Sequence, residues 1–262
     1  MSLDAAPARA ENHNRTFLQV ALNGDRVHPR APRTPTAIAE AARAALAAGA
    51  HSVHVHAFND AGRESLDGAV CAKVLRAVRA LRPETPISLT TSAAIVADPA
   101  ERLKVIEAWE ELPDLVTANQ GEAGIRELCE LLVARGVGIE AGLLCSEDAR
   151  AFVRSGLGDR CRRVLIEPLD LDPDTAMRHA AEMEGIVVAA GIALEQVHHG
   201  YGTTCWAVNR RALERGHGIR TGLEDVTQLP DGTDAVDNAD LVAAAVRLIR
   251  ERARGRGQTR AG

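Results

Sequence analysis

The chain has 262 residues, enough for one large α/β domain or two small ones, and 46% are hydrophobic, so a sizeable core can be buried even though aromatics are only 2%. A net charge of −5 argues against a nucleic-acid binder, and there is neither a polybasic run for an anionic membrane surface nor an apolar run of the roughly 20 residues a transmembrane helix needs. The five dispersed cysteines contain no CxxC pair, which excludes a disulfide framework and points to a reducing, cytoplasmic setting.

Residues 1–16 hold Asp4 and Glu11 and no apolar leader, and read as a loose tail. A first strand over 17–22 ends at Asn23-Gly24-Asp25. Thr34 is a suitable N-cap, with Pro35 at the first helical position, for an Ala-rich helix that Gly49 stops. The second strand, 52–58, reads Ser52-Val53-His54-Val55-His56-Ala57-Phe58. Side chains alternate along a strand, so His54 and His56 share one face. Asp60-Ala61-Gly62 turns the chain into a helix over 66–81, followed by a strand over 86–91. Helices over 99–109, 123–135, 147–154, 173–184 and 204–214 alternate with strands over 115–119, 138–144, 163–168, 196–200 and 218–223. The apolar stretch 185–191 fits either a helix extension or a short extra strand. A last helix over 237–252 precedes a Gly- and Arg-rich tail over 253–262 that is expected to fray.

Eight strand–helix units of similar length imply a parallel sheet, and this is the size of a (β/α)₈ TIM barrel built as a single domain over 17–252. The doubly wound alternative favours a glycine-rich phosphate loop after the first strand, and Asn23-Gly24-Asp25-Arg26 is not one. A barrel of this kind places its site at the C-terminal ends of the strands. The residues expected there are Asn23, Asp25 and Arg26; His54, His56 and Asn59; Thr90, Thr91 and Ser92; Asn119, Gln120 and Glu122; Glu140; Glu167; Gln196, His198 and His199; and Arg220, Glu224 and Asp225. Closure puts the eighth strand beside the first, one strand from the second. Glu224 can therefore complete a two-His, one-carboxylate metal site with His54 and His56, leaving a position open for substrate. Of His198 and His199 only one can face inward, as a ligand, an acid–base group or packing. His217 precedes the eighth strand at the opposite end and reads as structural.

These motifs in this order, His54-Val55-His56 with an acid–Gly turn after it, Ser88-Leu89-Thr90-Thr91, Thr117-Ala118-Asn119-Gln120-Gly121 and Arg220-Thr221-Gly222-Leu223-Glu224-Asp225, resemble the β-keto acid cleavage enzymes. The founding activity of that family is 3-keto-5-aminohexanoate cleavage. The resemblance runs from about residue 17 to 250. It implies a (β/α)₈ barrel, one zinc ion per chain, and reaction of a β-keto acid with acetyl-CoA as co-substrate to give acetoacetate and a new acyl-CoA. By position, His54, His56 and Glu224 match the zinc ligands, Asp225 the general base and Arg220 the arginine beside it. Thr90 matches a substrate-contacting Ser or Thr. A homo-oligomer, a tetramer by resemblance, is also implied. Another zinc barrel, a lyase or hydrolase that does not use CoA, and a non-catalytic metal-binding barrel share the metal residues and remain alternatives.

The chain departs from the family pattern beside those residues. After the histidines comes Ala57-Phe58-Asn59 instead of x-Arg-Asp, and Ser92-Ala93 replaces a glycine pair. Arg26 stands where the founding enzyme has a Glu that binds the substrate amine, and Glu122 where it has a Thr. His199-Gly200-Tyr201-Gly202 replaces a small-residue run. Arg26, Glu122, Asn119 and His199, with Thr90, are therefore the expected substrate contacts. Arg26 is expected either to pair with Glu122 or to receive a carboxylate.

Overall fold

The structure is a computed structural model that describes residues 16–26 and 28–259. The expected N-terminal tail, apart from Thr16, lies outside the described residues. Eight strands, β1 (Leu18–Ala21), β2 (Ser52–Val55), β3 (Ile87–Thr90), β4 (Leu115–Asn119), β5 (Gly138–Leu143), β6 (Arg163–Ile166), β7 (Glu195–His198) and β8 (Gly218–Thr221), pair in parallel and in sequence order. The β1–β8 pairing, with Gln19 opposite Arg220, closes the barrel.

A helix follows every strand: α1 (Pro35–Ala48), α2 (Gly68–Leu81), α3 (Pro99–Glu107), α4 (Ile125–Ala134), α5 (Ser146–Ser155), α6 (Pro173–Ala189), α7 (Cys205–Arg215) and α8 (Asn238–Thr259). The helix starts follow from local chemistry. Thr34 Oγ1 accepts from Ala37 N at 3.2 Å ahead of Pro35, and Asp98 and Asp172 cap α3 and α6 in the same way, each before a proline. The outward strand residues Val20, Val53, Ile87, Val116, Ile139 and Val164 pack with Ile38, Leu75, Leu132, Phe152, Met183 and Leu241 of the helices in one buried layer. The inside of the barrel is polar: Gln19, Ser88 and Glu140 are wholly buried.

The structure revises several boundaries. The stretch 185–191 continues α6 to Ala189 and forms no strand, as expected of an apolar run that contributes Val187 to the core. Helix α8 runs on to Thr259, beyond the fraying expected from residue 253, since Glu251, Arg252, Ala253 and Arg254 are all good helix formers. Strand β2 ends at Val55, so His56 stands just past it. Strand β8 ends at Thr221, so Glu224 and Asp225 sit in a turn and do not share the strand with Arg220. Gly222 makes that turn, at φ 152°, where an added Cβ would meet Ala21 O at 1.9 Å. The described helices contain none long and apolar enough to cross a membrane.

Candidate metal centre and active site

The site is assembled at the C-terminal mouth of the barrel from the ends of the strands and the loops that follow them. Asn23, after β1, accepts from the backbone N–H groups of Gly24 and His56 at 2.9 Å each and donates to His56 O at 3.0 Å and to Pro32 O at 2.9 Å. This single amide fixes His56 beyond the end of its strand. On the other side, Asn238 accepts from Leu223 N at 2.9 Å and donates to Leu22 O at 2.8 Å, anchoring the turn that presents Glu224. Gly24 leaves room for that carboxylate, because a Cβ there would lie 2.5 Å from Glu224 Cγ.

Three lone-pair atoms converge as a result. His54 Nε2 and His56 Nε2 stand 3.7 and 3.6 Å from Glu224 Oε2, with the rings edge to face at 5.3 Å between centroids. Glu224 Oε2 is buried and has no hydrogen-bond partner, a costly state unless a cation completes it. Two imidazoles and a carboxylate are a donor set suited to zinc and similar divalent ions. The remaining imidazole nitrogens face acceptors or hydroxyls: His56 Nδ1 bonds Glu64, and His54 Nδ1 is 3.2 Å from the hydroxyls of Ser88 and Thr117. Burial, then Arg220 and His56, hold His54 well below the ordinary imidazole pKa, so it is neutral and ready to ligate. Burial lowers His56 too, but Glu224 and Glu64 outweigh it and the net shift is upward.

Among the described residues, two other groups have ligating atoms close together. In one, Glu184, His198 and His217 lie outside the barrel, but Arg211 and Arg215 bind Glu184 at 2.6 and 2.9 Å and neutralise it. His198 stacks on His217 at 4.6 Å, so of the adjacent pair it is His199 that faces the site. In the other group, His199 is fully buried between Glu167 Oε2 at 3.4 Å and Asp225 Oδ1 at 3.5 Å. Arg220 fills the centre of this group and reaches Asp225 Oδ1 at 2.7 Å, Glu224 Oε1 at 2.9 Å and Glu167 Oε1 at 3.9 Å. Burial opposes the charge on Asp225, yet Arg220 and His199 outweigh it and keep its carboxyl well below the usual carboxylate range. Burial raises Glu167, against the pull of His199 and Arg220.

A cavity of about 260 Å³ opens over these groups, lined by His54, His56, Thr90, Asn119, Arg220 and Glu224 together with Asp25, Glu64, Thr117, Glu167 and Leu169, among others. Thr90 and Asn119 line the cavity, whereas His199, expected as a substrate contact, is wholly buried and does not line it. Arg26 and Glu122 do not pair. Arg26 donates to the backbone oxygens of Glu224 and Asp225 at 3.1 and 3.3 Å and lies 4.5 Å over the Tyr201 ring. Glu122 binds Arg102 at 2.8 Å and accepts from Asn119 at 3.1 Å and from Ala93 N at 3.0 Å. Both side chains brace the walls instead of lining the cavity. Sequence reading missed Glu64, which lies in a loop eight residues from its partner His56 with no periodicity to mark it. Glu140 and Glu167 were visible as polar residues on strands, but Glu140 lies at the floor and not at the mouth.

Residues 15–159 and 171–256 match the family described as beta-keto acid cleavage enzyme. The 3-keto-5-aminohexanoate cleavage enzyme of Fusobacterium nucleatum subsp. nucleatum is 26% identical over 241 residues, which is 86% of each chain. Among solved structures, ObcA in a ternary complex with a C4-CoA adduct and oxalate superposes with a TM-score of 0.68 at 18% identity, over 87% of this chain and 65% of that one. The chain therefore spans just under two thirds of the ObcA length. The 3-dehydroquinate dehydratase of Geobacillus kaustophilus HTA426 superposes with a TM-score of 0.61 at 13% identity, over 89% of this chain and 92% of that one. At these identities the two structures speak to the barrel fold alone.

Proposed function

Since the chain belongs to the beta-keto acid cleavage enzyme family, we propose that it cleaves a β-keto acid against acetyl-CoA with the aid of a zinc ion held by His54, His56 and Glu224. The observation that carries the metal is the convergence of both Nε2 atoms on the unpartnered, buried Glu224 Oε2. Zinc bound there would supply Lewis acidity to the carbonyl of the keto acid.

The protein groups would do the rest. Arg220 attracts the substrate carboxylate. As it does so it loosens its hold on Asp225, and the proton affinity of Asp225 rises when a base is needed. Asp225 takes the proton from the carbon between the carboxylate and the keto group. That carbon attacks the thioester carbonyl of acetyl-CoA, and CoA leaves as its thiolate. The thiolate then attacks the original keto carbon, the bond between that carbon and the attacking one breaks, and Asp225 returns its proton. The products are acetoacetate and the new acyl-CoA. His199, buried between Asp225 and Glu167, and Glu167, beside Arg220 on the cavity wall, hold Arg220 and Asp225 in place.

The cavity also has a charge. Asp25, Glu64 and Glu167 line it beside Glu224, whose charge the proposed ion would offset, against one lining guanidinium, Arg220, while Arg26 is engaged elsewhere. A β-keto acid whose far end carries a cation or N–H donors suits this lining, with exposed Asp25 at the mouth to receive it. The deciding experiment is a screen of β-keto acids with acetyl-CoA, on protein of measured zinc content. We expect acetoacetate and acyl-CoA in equal amounts. Cleavage independent of acetyl-CoA would point instead to a lyase or hydrolase, and zinc binding without turnover to a non-catalytic barrel.

A further inference from the structure

We propose that Glu140, at the floor of the barrel, is a positioning residue that fixes which nitrogen of His54 faces the metal, acting through the hydroxyl of Ser88. This rests on the reading of His54 as a metal ligand. Glu140 is fully buried on β5, below the cavity. Its Oε2 accepts from Ser88 Oγ at 2.6 Å and its Oε1 from Gln19 Nε2 at 2.9 Å. A carboxylate only accepts, so the single hydroxyl proton of Ser88 is committed to it.

The consequence passes upward. Ser88 Oγ is also 3.2 Å from His54 Nδ1. Having given its proton to Glu140, this oxygen can only accept from the imidazole, so the proton of neutral His54 must sit on Nδ1. Thr117 Oγ1 is a second hydroxyl oxygen 3.2 Å from His54 Nδ1; it is 3.4 Å from both Glu140 Oε2 and Ser88 Oγ, either of which can take its proton and leave it to accept from the ring. His54 then offers a bare Nε2 toward Glu224. If Ser88 were free to turn, it could donate to Nδ1. The ring proton would move to Nε2, and His54 would show the metal an N–H instead of a lone pair. Arg163, with Nε 3.6 Å from Glu140 Oε1, compensates the buried charge from below without competing for Ser88. His56 has the same provision in one step, through its direct bond to Glu64. A carboxylate thus stands behind each imidazole, one in contact and one relayed by hydroxyls. Such outer partners of ligating histidines fix the tautomer and typically change metal affinity about 10–100-fold when lost.

The test uses the whole chain and two readouts. Long-range proton–nitrogen spectra of metal-free protein, labelled with ¹⁵N in histidine, report the His54 tautomer, and competition with a chromophoric chelator reports zinc affinity. The wild type is expected to show Nδ1–H at His54. The double variant Ser88→Ala, Thr117→Val removes both acceptors and should shift His54 toward Nε2–H with about 10–100-fold weaker zinc binding. Glu140→Gln, which lets an amide N–H face Ser88, should move both readouts in the same direction. Should Glu140→Gln fail to fold, the double variant still decides. A wild-type His54 in the Nε2–H form overturns the proposal, as do folded variants that keep Nδ1–H and bind zinc within twofold of wild type. Wild-type protein that shows Nδ1–H but binds no zinc would overturn the metal reading and leave the hydroxyl relay standing.

Discussion

Asp25 lines the cavity, and Asp225 lies behind the lining residues Arg220 and Glu224; the two carboxylates have opposite settings. Asp225 is buried and bound by Arg220 at 2.7 Å, whereas Asp25 is exposed at the mouth. Asp225→Asn keeps the side-chain shape and leaves His54, His56 and Glu224 untouched. Zinc content should therefore stay at one per chain while kcat falls by roughly 10³-fold, a typical range for loss of a general base. Normal turnover in that variant would remove Asp225 from the role. Asp25→Asn should act on binding instead. We expect KM for keto acids with a cationic tail to rise about fivefold, as for loss of a solvent-exposed ion pair of roughly 1 kcal/mol, with KM for uncharged analogues unchanged. Equal effects on both substrates would show that Asp25 does not read the tail. Arg26 teaches the complementary lesson. Its charge was plain in the sequence, but its partners, two backbone carbonyls and the Tyr201 face, come from residues about 200 positions away, so its direction could not be read.

Helix α6 illustrates how one side chain can join elements. Glu184 is nearly buried and binds Arg211 and Arg215 of α7 and His217 ahead of β8, at 2.6, 2.9 and 3.0 Å. Burial works against its charge, but the bonds from His217, Arg215 and Arg211 overcome it and lower its pKa to about 2. A carboxylate depressed in the folded state adds stability above its ordinary pKa and loses it as pH falls toward the folded value. Glu184→Gln should therefore lower unfolding free energy by about 2 kcal/mol near neutral pH, since it removes charge-assisted hydrogen bonds to Arg211 and Arg215, whose guanidinium groups are only partly buried. The gap from wild type should narrow as pH drops from 5 toward 3. Denaturant unfolding at several pH values checks this, and a constant gap would refute the linkage. The element order, by contrast, was legible throughout. Strands this short and apolar, separated by helices with Thr34, Asp98 and Asp172 at their starts, have few other ways to bury both faces. Only boundaries moved, among them the ends of β2, β6, β7, β8, α3, α6 and α8, most by a few residues, as is usual where an element's last turn or pair is decided.

For the whole molecule, the proposed metal centre lies at the closure. It joins the end of β2 to the turn after β8, with the β1 loop between them, so an ion bound there ties the first strands to the last. Chelation should lower Tm, and zinc at a thousand times its Kd should restore about 4 kcal/mol, roughly 10 °C for a chain of this size. A Tm insensitive to chelator and zinc would speak against a metal at this place. Sequence alone determined the alternation of eight strands and helices, the shared face of His54 and His56, and Glu224 as their neighbour through closure, because period and topology are set by short-range pattern and by the way parallel strands connect. The tertiary structure alone decided that His199 faces inward while His198 stacks outside, that Arg26 and Glu122 brace the walls, and that Glu64 and Glu140 stand behind the histidines. Each of those facts depends on the direction of a side chain toward groups brought from distant parts of the chain, and that direction is fixed only once the barrel has closed.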